Sequence, residues 1–170
     1  MDTRLYRYES PEDNRETHRA GEAYRDFRAA VAAENLLDGY PDMRFWRPTG
    51  IGFITRSTVN FMTNRGNSND YVVVQDLTPR KGAKANVLEA FAAVVKCAEN
   101  RPEIGSFWIL GRENEEEDGE DIVAFTRFKS KEDYEAFMTE EGEIWKRVDD
   151  LCDYVRTTTW EESGIGYLGR

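Results

Sequence analysis

Residues 7–13 read Arg-Tyr-Glu-Ser-Pro-Glu-Asp, and residues 127–133 read Arg-Phe-Lys-Ser-Lys-Glu-Asp. Each is an arginine, an aromatic, a spacer, a serine, a spacer and two acids, and the two lie about 120 positions apart. The correspondence returns further on, as Thr49-Gly-Ile-Gly-Phe-Ile-Thr-Arg56 and Ser163-Gly-Ile-Gly-Tyr-Leu-Gly-Arg170. A matching start and end around a helical middle mark a duplication, and an internal repeat governs how the whole chain is read. In both copies the serine follows a short extended run and precedes a helix, with Asp13 or Asp133 three residues on. That is a capping box: the hydroxyl accepts an exposed backbone N–H and the acid reaches back. Pro11 at the first helical position strengthens the first copy.

Working outward, Ala20, Tyr24, Phe27 and Val31 recur at helical spacing and predict an amphipathic helix over about 12–36, stopped by Asp38-Gly-Tyr-Pro41. In the second copy Tyr134, Phe137, Met138, Ile144, Trp145 and Val148 form the same kind of stripe. Strands are expected at about 43–47 and 51–62 after the first helix, and at about 153–161 after the second. Residues 64–70, Asn-Arg-Gly-Asn-Ser-Asn-Asp, form a polar hinge. Beyond it Tyr71-Val-Val-Val-Gln75 reads as a strand buried on both faces. Val87, Phe91, Val94 and Ala98 mark a helix ending near Asn100. Two more strands, about 104–110 and 122–128, flank an acidic turn. Residues 71–161 therefore read β-α-β-β-α-β, the ferredoxin-like pattern. The expected division is an incomplete half repeat (strand-helix-strand) over 1–63, the hinge, and a complete unit over 71–170. A half unit cannot cover its own sheet, so it takes its neighbouring strands from a second copy of the chain, making a homodimer, or from residues 71–161.

Composition narrows the function. Of 170 residues, 33 are acidic and 23 basic, a formal charge of −10, which argues against nucleic acid or an anionic membrane as partner. No run approaches the ~20 apolar residues of a membrane span, and the first residues hold no apolar signal core. Two distant cysteines and one histidine exclude a zinc ligand set of the usual kind. With 39% hydrophobic and 12% aromatic residues the chain is globular α+β, and the expected location is cytoplasmic.

At Tyr8, Ser10 and His18, followed by Arg19-Ala-Gly-Glu-Ala-Tyr24, the first copy resembles the antibiotic biosynthesis monooxygenase (ABM) domains of the dimeric α+β barrel superfamily, whose pattern is strand, aromatic, serine, helix, then histidine. The second copy departs from it, with Met138 at the position of His18. The resemblance implies a ferredoxin-like α+β barrel and a homodimer. It also implies an enzyme of specialised metabolism that oxygenates an aromatic or polyketide-derived small molecule without metal, flavin or other cofactor. In such chemistry a phenol or hydroquinone is deprotonated and its anion passes an electron to dioxygen. The protein supplies a dry aromatic pocket, a proton acceptor and donors for the anion. A polyketide cyclase or isomerase in the same pocket, or a non-catalytic ligand-binding barrel, are the alternatives.

The residues expected to carry catalysis are His18, as proton acceptor or donor, with Arg7 and Tyr8 on the leading strand. Substrate is expected against Trp46, Trp108, Phe125, Arg127 and Trp160. Their rings stack on a planar molecule, and a guanidinium stays charged when partly buried. The same side chains also read as plain core and surface, because a one-residue change of register moves every strand side chain to the other face. Gly50-Ile-Gly52 and Gly164-Ile-Gly166 read as bulges or close contacts rather than phosphate loops. Cys97 and Cys152 read as buried apolar groups rather than nucleophiles.

Overall fold

The structure, a computed structural model, describes residues 12–35, 44–54, 71–112 and 121–161. Its contacts divide the chain into Met1–Met43 and Arg44–Arg170. In the first unit a π-helical turn, Asp13–His18, precedes α1, Glu22–Ala33. The sequence leads one to expect a single helix here. It is broken at Gly21, which is extended at φ −62°, ψ 145°. A Cβ there would lie 3.1 Å from the His18 carbonyl oxygen, so a glycine eases the break. Val31 of the expected stripe is buried, whereas Phe27 is 52% exposed. Ser10 and the leading strand lie outside the described residues.

Among the described residues the second unit is one antiparallel sheet with three helices. Its elements are β1 (Trp46–Phe53), β2 (Tyr71–Pro79), α2 (Lys84–Glu99), β3 (Ile104–Arg112), β4 (Ile122–Phe128), α3 (Lys131–Glu140), α4 (Gly142–Asp150) and β5 (Cys152–Glu161). The strand order is β1-β3-β4-β2-β5. From β2 to β5 this is the ferredoxin-like β-α-β-β-α-β unit, and the class is α+β, as the sequence indicates. Val87, Phe91, Val94 and Ala98 are all buried on α2. The second-copy stripe divides into α3 and α4 at Glu141. The hinge at 64–70, the acidic turn over 113–120 and Gly164-Ile-Gly166 lie outside the described residues.

Ser130 caps α3. Its Oγ accepts the Asp133 N–H at 3.1 Å, and its hydroxyl donates to Asp133 Oδ2 at 2.8 Å. The acid thus meets the serine hydroxyl rather than the serine N–H. Four phenylalanines, Phe91, Phe107, Phe128 and Phe137, are essentially fully buried between sheet and helices. Each contributes roughly 2–3 kcal/mol by burial.

β1 belongs by sequence to the half repeat, yet it is hydrogen-bonded to β3 of the same chain, so this strand finds its partner within the chain. It joins through an irregularity between Pro48 and Gly52. Thr49 Oγ1 donates to the Ile109 carbonyl at 2.9 Å and accepts the Ile51 N–H at 3.3 Å. Gly50 and Gly52 have φ of +81° and +102°. A Cβ on Gly52 would lie 2.1 Å from the Phe107 carbonyl oxygen, whereas one on Gly50 would meet nothing within 4 Å. The sequence reading of this pair as a bulge with close contacts holds.

Gly52→Ala combines a left-handed backbone with a collision and is expected to lower unfolding free energy by about 3 kcal/mol or more. Gly50→Ala carries backbone strain alone, about 1 kcal/mol. Urea denaturation of the two variants checks the difference; equal losses would mean that the strands are not this close.

Candidate functional site

Alternation along the ladder sorts the strand side chains onto two faces. Facing α2, α3 and α4 are Tyr71, Val73 and Leu77 of β2, Phe107 and Ile109 of β3, and Ile122, Ala124 and Phe128 of β4, all in the main core. On the other face lies a second cluster, in which Val74, Leu110 and Val123 are buried among Trp46, Val72, Trp108, Phe125 and Trp160. Trp108 stands directly opposite Phe125, and Trp160 opposite Val72. Arg127, also opposite Val72, is 9% exposed. The structure therefore brings the five side chains expected to bind substrate to one face of the sheet. Phe107, by contrast, lies in the main core, and Tyr154 is exposed.

A described hollow lies elsewhere. A cleft of about 460 Å³ opens on the helix side, between β2 and β5 on one hand and α3 and α4 on the other. Gln75 reaches it from β2, Tyr134 and Met138 from α3, Trp145 and Asp149 from α4, and Cys152 to Val155 with Thr157 from β5. Gln75 is a buried carboxamide in the apolar run of β2, and its Nε2 donates to Thr157 Oγ1 at 3.4 Å. Trp145 is 6% exposed, stacks on Phe107 with ring centroids 6.3 Å apart, and meets Phe91 edge-on at 5.7 Å. Among the described residues its buried indole N–H has no hydrogen-bond partner. A buried donor left unpaired costs about 1–3 kcal/mol, so this one calls for an acceptor.

The charges of the cleft lie at its rim. Asp149 is held above the ordinary carboxylate value, first by partial burial and then by the neighbouring Asp150. Both stand in the last turn of α4, where the helix dipole disfavours negative charge. Asp153 pairs with Arg80 at 3.8 Å. Burial likewise raises Tyr134, with smaller contributions from Tyr71 and Glu135. The Cys152 thiol is pushed up to about 11 by burial, then by Asp149 and Asp153, so it stays protonated and unreactive near neutral pH. Among the described residues no cluster of His, Cys, Asp and Glu is arranged to hold a metal ion.

Of the residues expected to be catalytic, Arg7 and Tyr8 lie outside the described residues. His18 closes the π-helical turn, exposed, with its ring 5.0 Å from that of Tyr24. None of the five expected substrate residues lines the cleft, and neither His18 nor an arginine does. Met138, the second-copy counterpart of His18, does line it. Sequence reasoning gave Gln75, Trp145 and Asp149 no functional role. The signals available were a carboxamide inside a hydrophobic strand and an acidic pair at a helix C-terminus.

No family model matches the chain, and no curated protein matches it. Solved structures do. A candidate monooxygenase from Fusobacterium nucleatum superposes with a TM-score of 0.62 at 11% identity, over 88% of this chain and 67% of that one. An anthrone oxidase-like protein gives 0.56 at 15%, over 88% and 66%. A candidate antibiotic biosynthesis monooxygenase from Nitrosomonas europaea gives 0.50 at 14%, over 58% and 94%. This chain spans about two thirds of the two longer proteins. What is shared at such identities is the fold alone.

Because the folded state holds the Asp149 carboxyl above its unfolded value near 3.8, ionising it opposes folding. Its contribution is most favourable at acid pH and is lost as pH rises through the raised value. Asp149→Asn is therefore expected to resist urea better than the parent at pH 7, the advantage shrinking toward pH 4. An advantage independent of pH would show that the carboxyl is not perturbed.

Proposed function

We propose that the protein is a cofactor-independent monooxygenase-like enzyme acting on an aromatic or polyketide-derived small molecule of specialised metabolism, with the helix-side cleft as its reaction chamber. The observation that carries this is the cleft's make-up within an ABM-like fold. Tyr134, Met138 and Trp145 form aromatic and soft walls, the Gln75 carboxamide is a donor among them, and a carboxyl with raised proton affinity stands at the rim. Those are the parts needed to deprotonate a phenol or an acidic ring CH₂ and to hold the resulting anion out of water. Oxidation of a ring CH₂ then balances with one dioxygen: one oxygen atom becomes the new carbonyl and the other leaves as water with the two hydrogens.

Further features belong to the same proposal. The chain is a duplicated unit whose leading repeat is incomplete. It works as a cytoplasmic homodimer in which Trp46, Trp108, Phe125, Trp160 and Arg127 face the sheet of a second copy. The proton acceptor is either Asp149 at the cleft or His18, the base expected from the sequence pattern. A non-oxidative cyclase is favoured by one feature: the cleft needs only an acid-base group and aromatic walls, both of which it has.

Oxygen uptake against a panel of anthrones and hydroquinones tests the chemistry. One dioxygen consumed per carbonyl formed is expected; product without uptake would make the enzyme a cyclase or isomerase. With a turned-over substrate, His18→Ala and Asp149→Asn identify the base. The one that takes the proton loses about 100-fold in turnover on replacement. Gel filtration at low protein concentration is expected to give the mass of two chains.

A further inference from the structure

β2 carries a carboxamide where its neighbours are aliphatic: Gln75 follows Val72, Val73 and Val74 and is 5% exposed. Ala124 of β4 stands opposite it on one side and Thr157 of β5 on the other. A carboxamide can donate two hydrogen bonds and accept two. Among the described residues the Gln75 side chain makes one, from Nε2 to Thr157 Oγ1 at 3.4 Å, longer than the usual N–H to oxygen bond. Its Oε1 accepts none, yet it is not among the buried unpaired atoms, as Asn14 Oδ1 and Trp145 Nε1 are. That oxygen therefore opens on the cleft, which Gln75 lines. Thr157 lines the cleft as well and is exposed. Because its oxygen accepts from Gln75, its O–H is left to donate. The two residues thus present an acceptor and a donor side by side.

We propose that the cleft recognises a planar cyclic amide, whose ring N–H donates to Gln75 Oε1 and whose carbonyl oxygen accepts the Thr157 O–H. In a lactam the N–H and the C=O project from adjacent ring atoms, a donor beside an acceptor, which is the complement of this pair. A ketone satisfies the threonine alone, and a phenol the glutamine alone. Tyr134 and Met138 of α3 and Val155 of β5 supply the flat and compliant surfaces beside the pair, against which a ring can lie. The proposal rests on the reading of the cleft as the reaction chamber and deepens it: within the aromatic class, a ring amide is the feature by which the substrate is held.

Calorimetric titration of the full chain with two probes, 2-quinolone and coumarin, tests this. They share one outline and one carbonyl, but coumarin has a ring oxygen where 2-quinolone has its N–H, and the lone pairs of that oxygen would face Gln75 Oε1. 2-Quinolone is expected to bind about tenfold tighter than coumarin, the worth of one neutral hydrogen bond. Gln75→Leu is expected to make the two affinities equal. Thr157→Val keeps the side-chain shape at an exposed position of the β5 strand. It is expected to weaken both compounds by about tenfold and to leave their ratio unchanged.

The proposal is overturned if 2-quinolone does not bind, if the parent holds both compounds equally, or if coumarin binds tighter, which would turn Nε2 rather than Oε1 toward the cleft. A preference kept in Gln75→Leu, or affinities untouched by Thr157→Val, overturns it as well. Should Gln75→Leu not fold, the ratio in the parent and the loss in Thr157→Val decide the matter by themselves. Oxygen plays no part in this titration. The expected affinities without oxygen uptake in the earlier assay remove the oxygenase and keep the cyclic-amide site. Uptake with an anthrone, which has no ring amide, and no preference for 2-quinolone keep the oxygenase and remove the site.

Discussion

Every functional placement in this protein depends on the antiparallel ladder between β2 and β4, whose pairing runs from Tyr71 opposite Phe128 to Leu77 opposite Ile122. Strand side chains alternate, so this one register decides which aromatics lie beneath the helices and which face away. It puts Phe128 in the main core and Phe125 on the opposite face. Through the pairing of β3 with β4 it separates Phe107 from Trp108, adjacent in sequence, in the same manner. A shift by one residue would exchange the two populations and turn Phe107 and Phe128 out of the core. The burial of Ile104, Phe107, Ile109 and Phe128 is what excludes that shift.

The two faces are built for different tasks. The helix face is packed with fully buried aliphatic and phenyl groups except at one end, where β5 and the short helices α3 and α4 leave a cleft. There the apolar surface gives way to Gln75, the Trp145 N–H and Asp149. Polar groups so placed do little for folding: one is an unpaired donor and one a carboxylate beside another carboxylate. On the opposite face three buried aliphatic residues, Val74, Leu110 and Val123, pack against the partly buried rings of Trp46, Trp108, Phe125 and Trp160.

Much of the architecture was legible in the sequence. The β-α-β-β-α-β order, the α2 stripe, the Ser130 cap and the bulge glycines follow from local rules: hydrophobic period, capping chemistry and backbone freedom. The aromatics Trp46, Trp108, Phe125 and Trp160 each sit on a strand amid β-formers, and the structure gathers them on one face of the sheet. Their face could not be read, since period two has no origin until a neighbouring strand supplies one. The cleft was illegible for a similar reason. Gln75, Tyr134, Trp145 and Thr157 are spread over more than 80 positions, and each alone is an ordinary residue of its element.

The amino-acid order by itself determined the α+β class, the acidic charge that disfavours nucleic acid, and the glycines on which β1 turns. These depend on neighbours in the chain and on composition, which a linear string contains. Tertiary structure alone decided that β1 pairs with β3 of its own chain. It decided that the expected substrate residues share a face apart from the cleft, and that Trp145 is buried with no acceptor among the described residues. Those facts depend on register and on which elements lean on one another, and both are settled only when the non-local contacts form together.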